Sequence, residues 1–210
     1  MLKNYLKIAF RNIIHHKGYS SINIAGLAIG LTATILILIW VQNELSYDKF
    51  HANVNNLYRV AFATEDQQFH GAYLPGPAAD FLREQYPEIT HATSVGTMGL
   101  KLTHEQKNLT GSGRLVHPDF FEMFTFPMIQ GDPNSVFSNP TSIVITENLA
   151  TRLFGDQAPI GKTITLEDGY AFTVTGVMQD IPHNSHIQFD FLLSFVVSPP
   201  WMNQWDNKAV

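Results

Sequence analysis

The chain has 210 residues, no cysteine and a formal net charge of −5, and its charges are unevenly distributed. Residues 1–43 contain four basic side chains and no carboxylate, whereas all 18 carboxylates lie from Glu44 onward. A nucleic-acid partner requires a basic footprint, so the acidic body excludes nucleic acid. The apolar, basic head is equally unlike that of an ordinary cytosolic enzyme.

The first residues predict a basic amphipathic helix. Apolar side chains recur at helical spacing through residues 1–17, while Lys3, Lys7 and Arg11 fall largely on another side. With Phe10, these cations define a helix that we expect to lie in the headgroup plane of the inner leaflet. A positive flank without helical structure is the alternative.

Residues 18–43 carry no charge and predict one transmembrane helix. The apolar core of this stretch matches the roughly 20 residues that a helix needs to cross ~30 Å of hydrocarbon. The expected membrane anchor is spread along the span: Ile22, Gly26, Gly30, Leu36 and Trp40. Gly26 and Gly30 form a G-x-x-x-G pattern that suits close helix packing, and Trp40 suits the far interface.

The charge flanks predict the orientation of this span. Basic residues are retained on the cytoplasmic side, so we expect a cytoplasmic N-terminus and a periplasmic body from about residue 44. The apolar run is longer than the core of a typical signal peptide, and no small-residue cleavage site follows it. We therefore expect an uncleaved anchor in the inner (plasma) membrane.

Residues 44–210 predict an α+β fold with mixed helices and strands. The expected elements of its first half are a strand at 57–64, a helix from Ala78 that ends at Pro87, two or three short strands broken by glycines at 91–116, and a short aromatic helix at 117–124. The expected elements of its second half are a strand at 142–145, a helix at 147–154 capped by Thr146 and Gly155, a hairpin around Asp168-Gly169 within 162–181, and a last strand at 188–195.

The segment from Gly155 to Thr163 superficially resembles a phosphate-binding loop. A Walker A loop has four residues between its glycines, but five separate Gly155 from Gly161. The segment also follows a helix and opens a strand, and Pro159 removes one amide donor. A plain helix-to-strand turn is the prediction.

Other polar and aromatic clusters offer weaker candidates. His183, His186 and Asp190 suggest a metal site, but without cysteine a polar loop is the stronger interpretation. Asp80 and Glu84 share one helix face, which is more typical of solvated acids than of a catalytic pair. The four aromatic residues that follow are expected to form core, with a ligand groove as the alternative: Phe120, Phe121, Phe124 and Phe126. We assign no catalytic residue, metal ligand or cofactor.

Several stretches together resemble permeases of the MacB and FtsX type. They are the head up to residue 36, the junction YDKFHANVNNLYRV (47–60), PTSIVITENLATRLFGDQAPIGKTITL (140–166) and FTVTGVMQDIPHNSHIQFDFLLS (172–194). The resemblance covers nearly the whole chain and is nearest to the large permeases of Bacteroidetes-type bacteria. It implies that residues 44–210 are a MacB-like periplasmic core domain.

This resemblance implies a non-catalytic subunit of an ABC transporter. A separate ATPase subunit would bind ATP, and mechanotransmission would pass its stroke to the periplasm for export or periplasmic release. The implied partners are the lipid bilayer, that ATPase and the rest of the permease, with a homodimer left open. Family permeases have at least four membrane helices, so we expect an N-terminal fragment whose core domain is incomplete. The alternative is a stand-alone single-span anchored binding or sensor protein.

Overall fold

A computed structural model describes residues 2–63, 70–71, 74–167 and 169–197 of the chain. The chain divides into two compact units, residues 1–47 and residues 48–210. The sequence also offers Trp201, Met202 and Trp205 as candidates to anchor the C-terminal tail, and these residues lie outside the described ones, as does Asp168 of the predicted hairpin turn.

The first unit consists of two helices. Helix α1 spans Leu2–His15 and helix α2 spans Lys17–Glu44, with His16 outside helical geometry between them (φ −115°, ψ 55°). A helix is thus present where the sequence predicts an amphipathic one. Within the described residues, α2 is the one helix that is long and apolar enough to cross a membrane.

The second unit combines short helices with a large sheet. Its elements in chain order are a 3-10 turn Val54–Asn56, β1 Phe62–Ala63, β2 His70–Gly71, α3 Ala78–Gln85, β3 Val95–His104, β4 Lys107–Val116, α4 Phe120–Met123, β5 Met128–Gln130, β6 Ser142–Thr146, α5 Glu147–Phe154, β7 Thr163–Leu166, β8 Ala171–Met178, β9 Phe191–Ser194 and a 3-10 turn Phe195–Val197.

Seven of these strands form one sheet in the order β5-β8-β6-β9-β4-β3-β7. Strand β7 pairs antiparallel with both β3 and β8, so the six strands from β8 to β7 close into a circuit. Two of the pairings, β4 with β9 and β6 with β8, are parallel. Strands β1 and β2 form a separate antiparallel pair.

Strand β6 runs through the centre of the core and is buried at every residue. Ile143 and Ile145 belong to one hydrophobic cluster, which includes Leu149 and Leu153 of α5. Val144 belongs to a second cluster, which includes the aromatic residues around α4. Because side chains alternate along a strand, β6 separates two packed layers, one on each side of the sheet.

The second half of the domain matches its prediction closely. Helix α5 begins after Thr146, whose hydroxyl accepts a hydrogen bond from the Leu149 N–H at 3.3 Å, and it ends at Gly155 with φ 61°. Strands β7 and β8 form the expected antiparallel hairpin, with Gly169 at φ 81° in its turn. Helix α3, helix α4 and strands β6 and β9 are also present where the sequence predicts them.

Two predictions in the first half are wrong. In the predicted strand at 57–64, the described strand residues are Phe62–Ala63 alone. Strands β3 and β4 are two continuous ten-residue strands, not short pieces broken by glycines. The two glycines of β4 are accommodated because they make room for neighbours: a Cβ added at Gly111 would lie 2.7 Å from Leu102 Cδ1, and one added at Gly113 would lie 2.3 Å from the buried ring of Phe191 on β9. The short strands β2 and β5 were not predicted.

Candidate functional site

All five predicted anchor residues lie on α2, none of whose residues is buried within the structure. The two threonine hydroxyls on this helix are satisfied internally, since Thr32 donates to the Ala28 carbonyl at 2.7 Å and Thr34 to the Gly30 carbonyl at 2.8 Å. Internal satisfaction of polar groups is what a hydrocarbon environment requires. Gly26 and Gly30 have open space where a Cβ would stand, so their smooth strip is uncovered.

The predicted interfacial residues form one stripe on α1. Lys3, Lys7 and Arg11 are spaced four residues apart, so they share a face, and all three are exposed. Phe10 borders this stripe and is 67% exposed. The structure thus brings together the four residues predicted from the sequence.

The chain enters the second unit through residues 48–56, which we term the junction segment. Its first residue, Asp48, has a positive φ of 56°. The Asp48 N–H donates to the Asn184 carbonyl at 2.9 Å, and its Oδ1 accepts from the His186 N–H at 3.0 Å. Its Oδ2 lies 2.6 Å from His186 Nδ1. Asp48 is therefore attached to a loop 136 to 138 residues further along the chain.

The electrostatics favour an ionised Asp48. Partial burial raises the pKa of this carboxyl, but the hydrogen bonds and the charge of His186 outweigh burial and leave the pKa below its ordinary value. The carboxylate form is the one that accepts both hydrogen bonds. The contact is consequently a charge-assisted pair at the very start of the domain.

His51 attaches the junction segment to a second part of the domain. Its ring is buried, with 3% exposed, and contacts the rings of Phe50, Phe124 and Phe126. His51 Nδ1 accepts a hydrogen bond from the Thr125 N–H at 3.1 Å. Burial lowers the pKa of His51, and the negative charge of Asp48 offsets only part of that decrease. His51 is thus held neutral, with Nδ1 as an acceptor.

Two further hydrogen bonds complete this second attachment. The Ala52 N–H donates to Thr125 Oγ1 at 2.9 Å, and Asn53 Nδ2 donates to the Glu122 carbonyl at 3.0 Å. The junction segment is therefore fixed at two places, the 184–186 loop and residues 122–125 at the end of α4.

A charge cluster links α3 to the start of α4. Arg83 donates to Asp80 at 2.9 Å and to Asp119 at 3.1 Å, and His91 Nδ1 lies 3.5 Å from Asp119. Asp80 therefore forms an ion pair with Arg83, and it does not form the catalytic carboxylate pair with Glu84 that their shared helix face would allow. His117 stacks on the ring of Phe195, and burial lowers its pKa.

The predicted metal candidates have separate partners in the structure. His186 pairs with Asp48, whereas Asp190 Oδ2 accepts from the Ser112 N–H at 2.7 Å. His183 is exposed. Across the part of the chain that the structure describes, no three His, Asp or Glu residues are grouped to hold a metal ion.

The loop from Gly155 to Thr163 joins α5 to β7, as predicted for a helix-to-strand turn. The N–H of Gly161 donates to the Val174 carbonyl at 2.8 Å, and the N–H of Lys162 donates to the Pro159 carbonyl at 3.1 Å. Its amides therefore serve the fold and do not converge on a ligand. The predicted aromatic core is also present, since the four phenylalanines at 120–126 belong to or pack against the second hydrophobic cluster.

Sequence reasoning missed the junction attachment. Asp48 and His51 lie in one of the motifs that carried the resemblance, and His186 lies in another. The presence of both motifs in one chain was the one available hint of this contact. The spacing of residues does not predict that segments more than 130 residues apart touch.

The sequence of this chain is similar to those of known proteins. A family model described as the MacB-like periplasmic core domain matches residues 20–207. The chain belongs to this family. Macrolide export ATP-binding/permease protein MacB of Neisseria gonorrhoeae is 24% identical over 184 residues, which cover 82% of this chain and 28% of that protein. The chain thus spans little more than a quarter of the length of the curated relatives that it matches.

Two solved structures are similar to part of this chain. A domain of a protein described as a permease, from Porphyromonas gingivalis, superposes with a TM-score of 0.59 and 29% identity, over 67% of this chain and 61% of that one. The periplasmic region of MacB from Actinobacillus actinomycetemcomitans gives a TM-score of 0.48 and 18% identity, over 62% and 58% of the two chains. The predicted resemblance and the α+β fold of MacB-like core type are confirmed.

Proposed function

We propose that this chain supplies the first membrane helix and the periplasmic core domain of a longer ABC transporter permease. The permease is non-catalytic, binds no cofactor of its own and relies on a separate ATPase subunit for ATP. Membership of the MacB-like periplasmic core family supports this role. So does the 28% coverage of the MacB relative, whose printed name combines ATP-binding and permease functions.

The proposed topology has a cytoplasmic N-terminus and a periplasmic domain after about residue 44. The support is the charge asymmetry around α2, with four cations and no carboxylate before Glu44. Helix α1 then lies in the inner headgroup plane. A reporter that matures only in the periplasm, fused after Asn43, should be active, and a cytoplasmic reporter active at that site would contradict the topology.

The proposed mechanism is mechanotransmission through the junction segment. The carrying observation is its double attachment, by Asp48 to the 184–186 loop and by His51, Ala52 and Asn53 to the 122–125 segment. The peptide bond from residue 47 delivers any displacement of the preceding helix to Asp48. Because two distant parts of the domain are held at this entry, they would move as one body.

The proposed direction of work is export or periplasmic release. The printed name of the Neisseria relative describes macrolide export, which makes an amphipathic small molecule one substrate to test. The proposed assembly is a homodimer of the permease. The bilayer holds both copies, and the ATPase binds them at its cytoplasmic face.

The test is capture of the ATPase from host membranes. The chain, tagged and expressed in its own host, is cross-linked in the membrane, purified, and its partners are identified by mass spectrometry. The expected result is an ABC-type ATPase in a fixed ratio to the chain. The matched control replaces residues 2–43 with an unrelated apolar helix and should lose that ATPase. Recovery of the chain without an ATPase would favour a stand-alone anchored binding or sensor protein.

A further inference from the structure

One face of α1 combines cations with apolar side chains around an open groove. Lys7 and Arg11 are four residues apart, as are Phe10 and Ile14, so both pairs lie along the same side of the helix. These four side chains line a shallow groove on the exposed helix surface that is largely open to solvent. We call it the cationic groove.

The charge of this groove is uncompensated. Helix α1 contains no acidic residue, and neither does any position up to residue 43. Neither Lys7 nor Arg11 has an ion-pair partner among the described residues. Lys3, one turn before Lys7, adds a third cation to the same side. The groove therefore presents positive charge that an anion would neutralise.

The apolar walls identify the kind of anion. Phe10 is 67% exposed and Ile14 is 50% exposed, and they lie between and beside the two cations. A soluble phosphate would occupy the cations alone and leave both apolar side chains in water. A phospholipid places a phosphate and an acyl chain next to each other, which matches both halves of the groove.

We propose that the cationic groove binds an anionic phospholipid, with the phosphate held by Lys7 and Arg11 and the upper acyl chain packed on Phe10 and Ile14. This inference rests on the proposed function, because it requires α1 to lie at the inner leaflet, where anionic lipids carry the negative surface potential. The groove would select its lipid by headgroup charge, whereas α2 requires a bilayer of any headgroup.

The test uses the absence of cysteine in the chain. Ala9→Cys places one thiol on α1 for an environment-sensitive fluorophore, and the full chain is reconstituted in nanodiscs. Quenching by spin-labelled phosphatidylglycerol is compared with quenching by spin-labelled phosphatidylcholine. Each cation near an anionic surface contributes about fivefold, so the pair should give about a 25-fold preference for phosphatidylglycerol. Added salt should reduce the preference.

Charge variants separate this groove from general attraction. Lys7→Gln with Arg11→Gln should lower the preference about 25-fold and leave only the contribution of Lys3, and the exchange Lys7→Arg with Arg11→Lys should retain the full preference. Lys101→Gln with Lys107→Gln removes two exposed cations of the second unit and should leave the preference unchanged. Circular dichroism of each variant checks that the helices remain.

Three results would overturn the inference: equal quenching by the two lipids, a preference undiminished by the loss of both groove cations, or loss of the preference when inorganic phosphate or the soluble headgroup replaces part of the salt at constant ionic strength. The last result would assign the groove to a soluble phosphate. Failure of the chain to co-elute with nanodiscs would instead contradict the proposed membrane anchor, so the two failures are distinguishable.

Discussion

Substitution of Asp48 tests how much its contact with His186 stabilises the folded domain. Asp48→Ala removes a carboxylate that accepts from the His186 N–H at 3.0 Å and lies 2.6 Å from the His186 ring nitrogen. It also places alanine at a φ of 56°, a left-handed conformation that aspartate, asparagine and glycine tolerate better than alanine. Asp48→Gly removes the same bonds without this backbone penalty, and Asp48→Asn retains a neutral acceptor that tolerates a positive φ.

The expected magnitudes follow from exposure and geometry. The side chains are 29% exposed for Asp48 and 71% for His186, so solvent screening reduces the pair to about 1 kcal/mol. Alanine in the left-handed region adds about 1 kcal/mol. We therefore expect losses in the free energy of unfolding of about 2 kcal/mol for Asp48→Ala, about 1 kcal/mol for Asp48→Gly and about 0.5 kcal/mol for Asp48→Asn.

The assay is pulse proteolysis of the micelle-embedded chain across a urea series, which reports the fraction of folded domain without a reporter in the core. His186→Ala, alone and combined with Asp48→Ala, provides a double-mutant cycle for the pair. Equal destabilisation by Asp48→Gly and Asp48→Ala would contradict the backbone penalty assigned to alanine. A cycle without coupling energy would contradict the stabilising contact between Asp48 and His186.

Two further predictions use the same assay. Gly113→Ala should cost at least about 2 kcal/mol because its Cβ would overlap the fixed ring of Phe191, whereas Gly99→Ala, with open space at its Cβ, should have little effect; similar costs at the two glycines would contradict the packing. Stability should also fall as the pH drops below about 6.5, the ordinary pKa of histidine, because burial lowers the folded-state pKa of His51 and His117. The unfolded chain then binds protons that the folded domain excludes, and a stability that rises on acidification would contradict this assignment.

Local signals predicted the second half of the domain well because each element there carries its own boundary. Helix α5 begins at the Thr146 cap and ends at Gly155, and the β7–β8 hairpin turns at Gly169. These boundaries depend on neighbouring residues alone, so one sequence suffices to find them.

The first half was predicted less well because tertiary contacts outweigh local preference there. Gly111 and Gly113 weaken β4 as an isolated strand. The strand nevertheless forms, because Leu102 and Phe191 occupy the space that larger side chains at these two positions would need. The attachment of Asp48 to the 184–186 loop is also tertiary, since it joins the first and last parts of the domain. Periodicity along the chain contains no information about such a pairing.

We propose that the junction segment transmits displacement from the membrane helix to the periplasmic domain. The most direct test inserts a short flexible glycine-serine linker between Tyr47 and Asp48 of the full permease and asks whether it still complements a deletion strain. The matched control inserts the same linker between Glu105 and Gln106, in the exposed turn that joins β3 and β4. We predict that the first insertion abolishes complementation while the domain stays as stable as in the control. Equal complementation by both variants would contradict mechanotransmission through this segment.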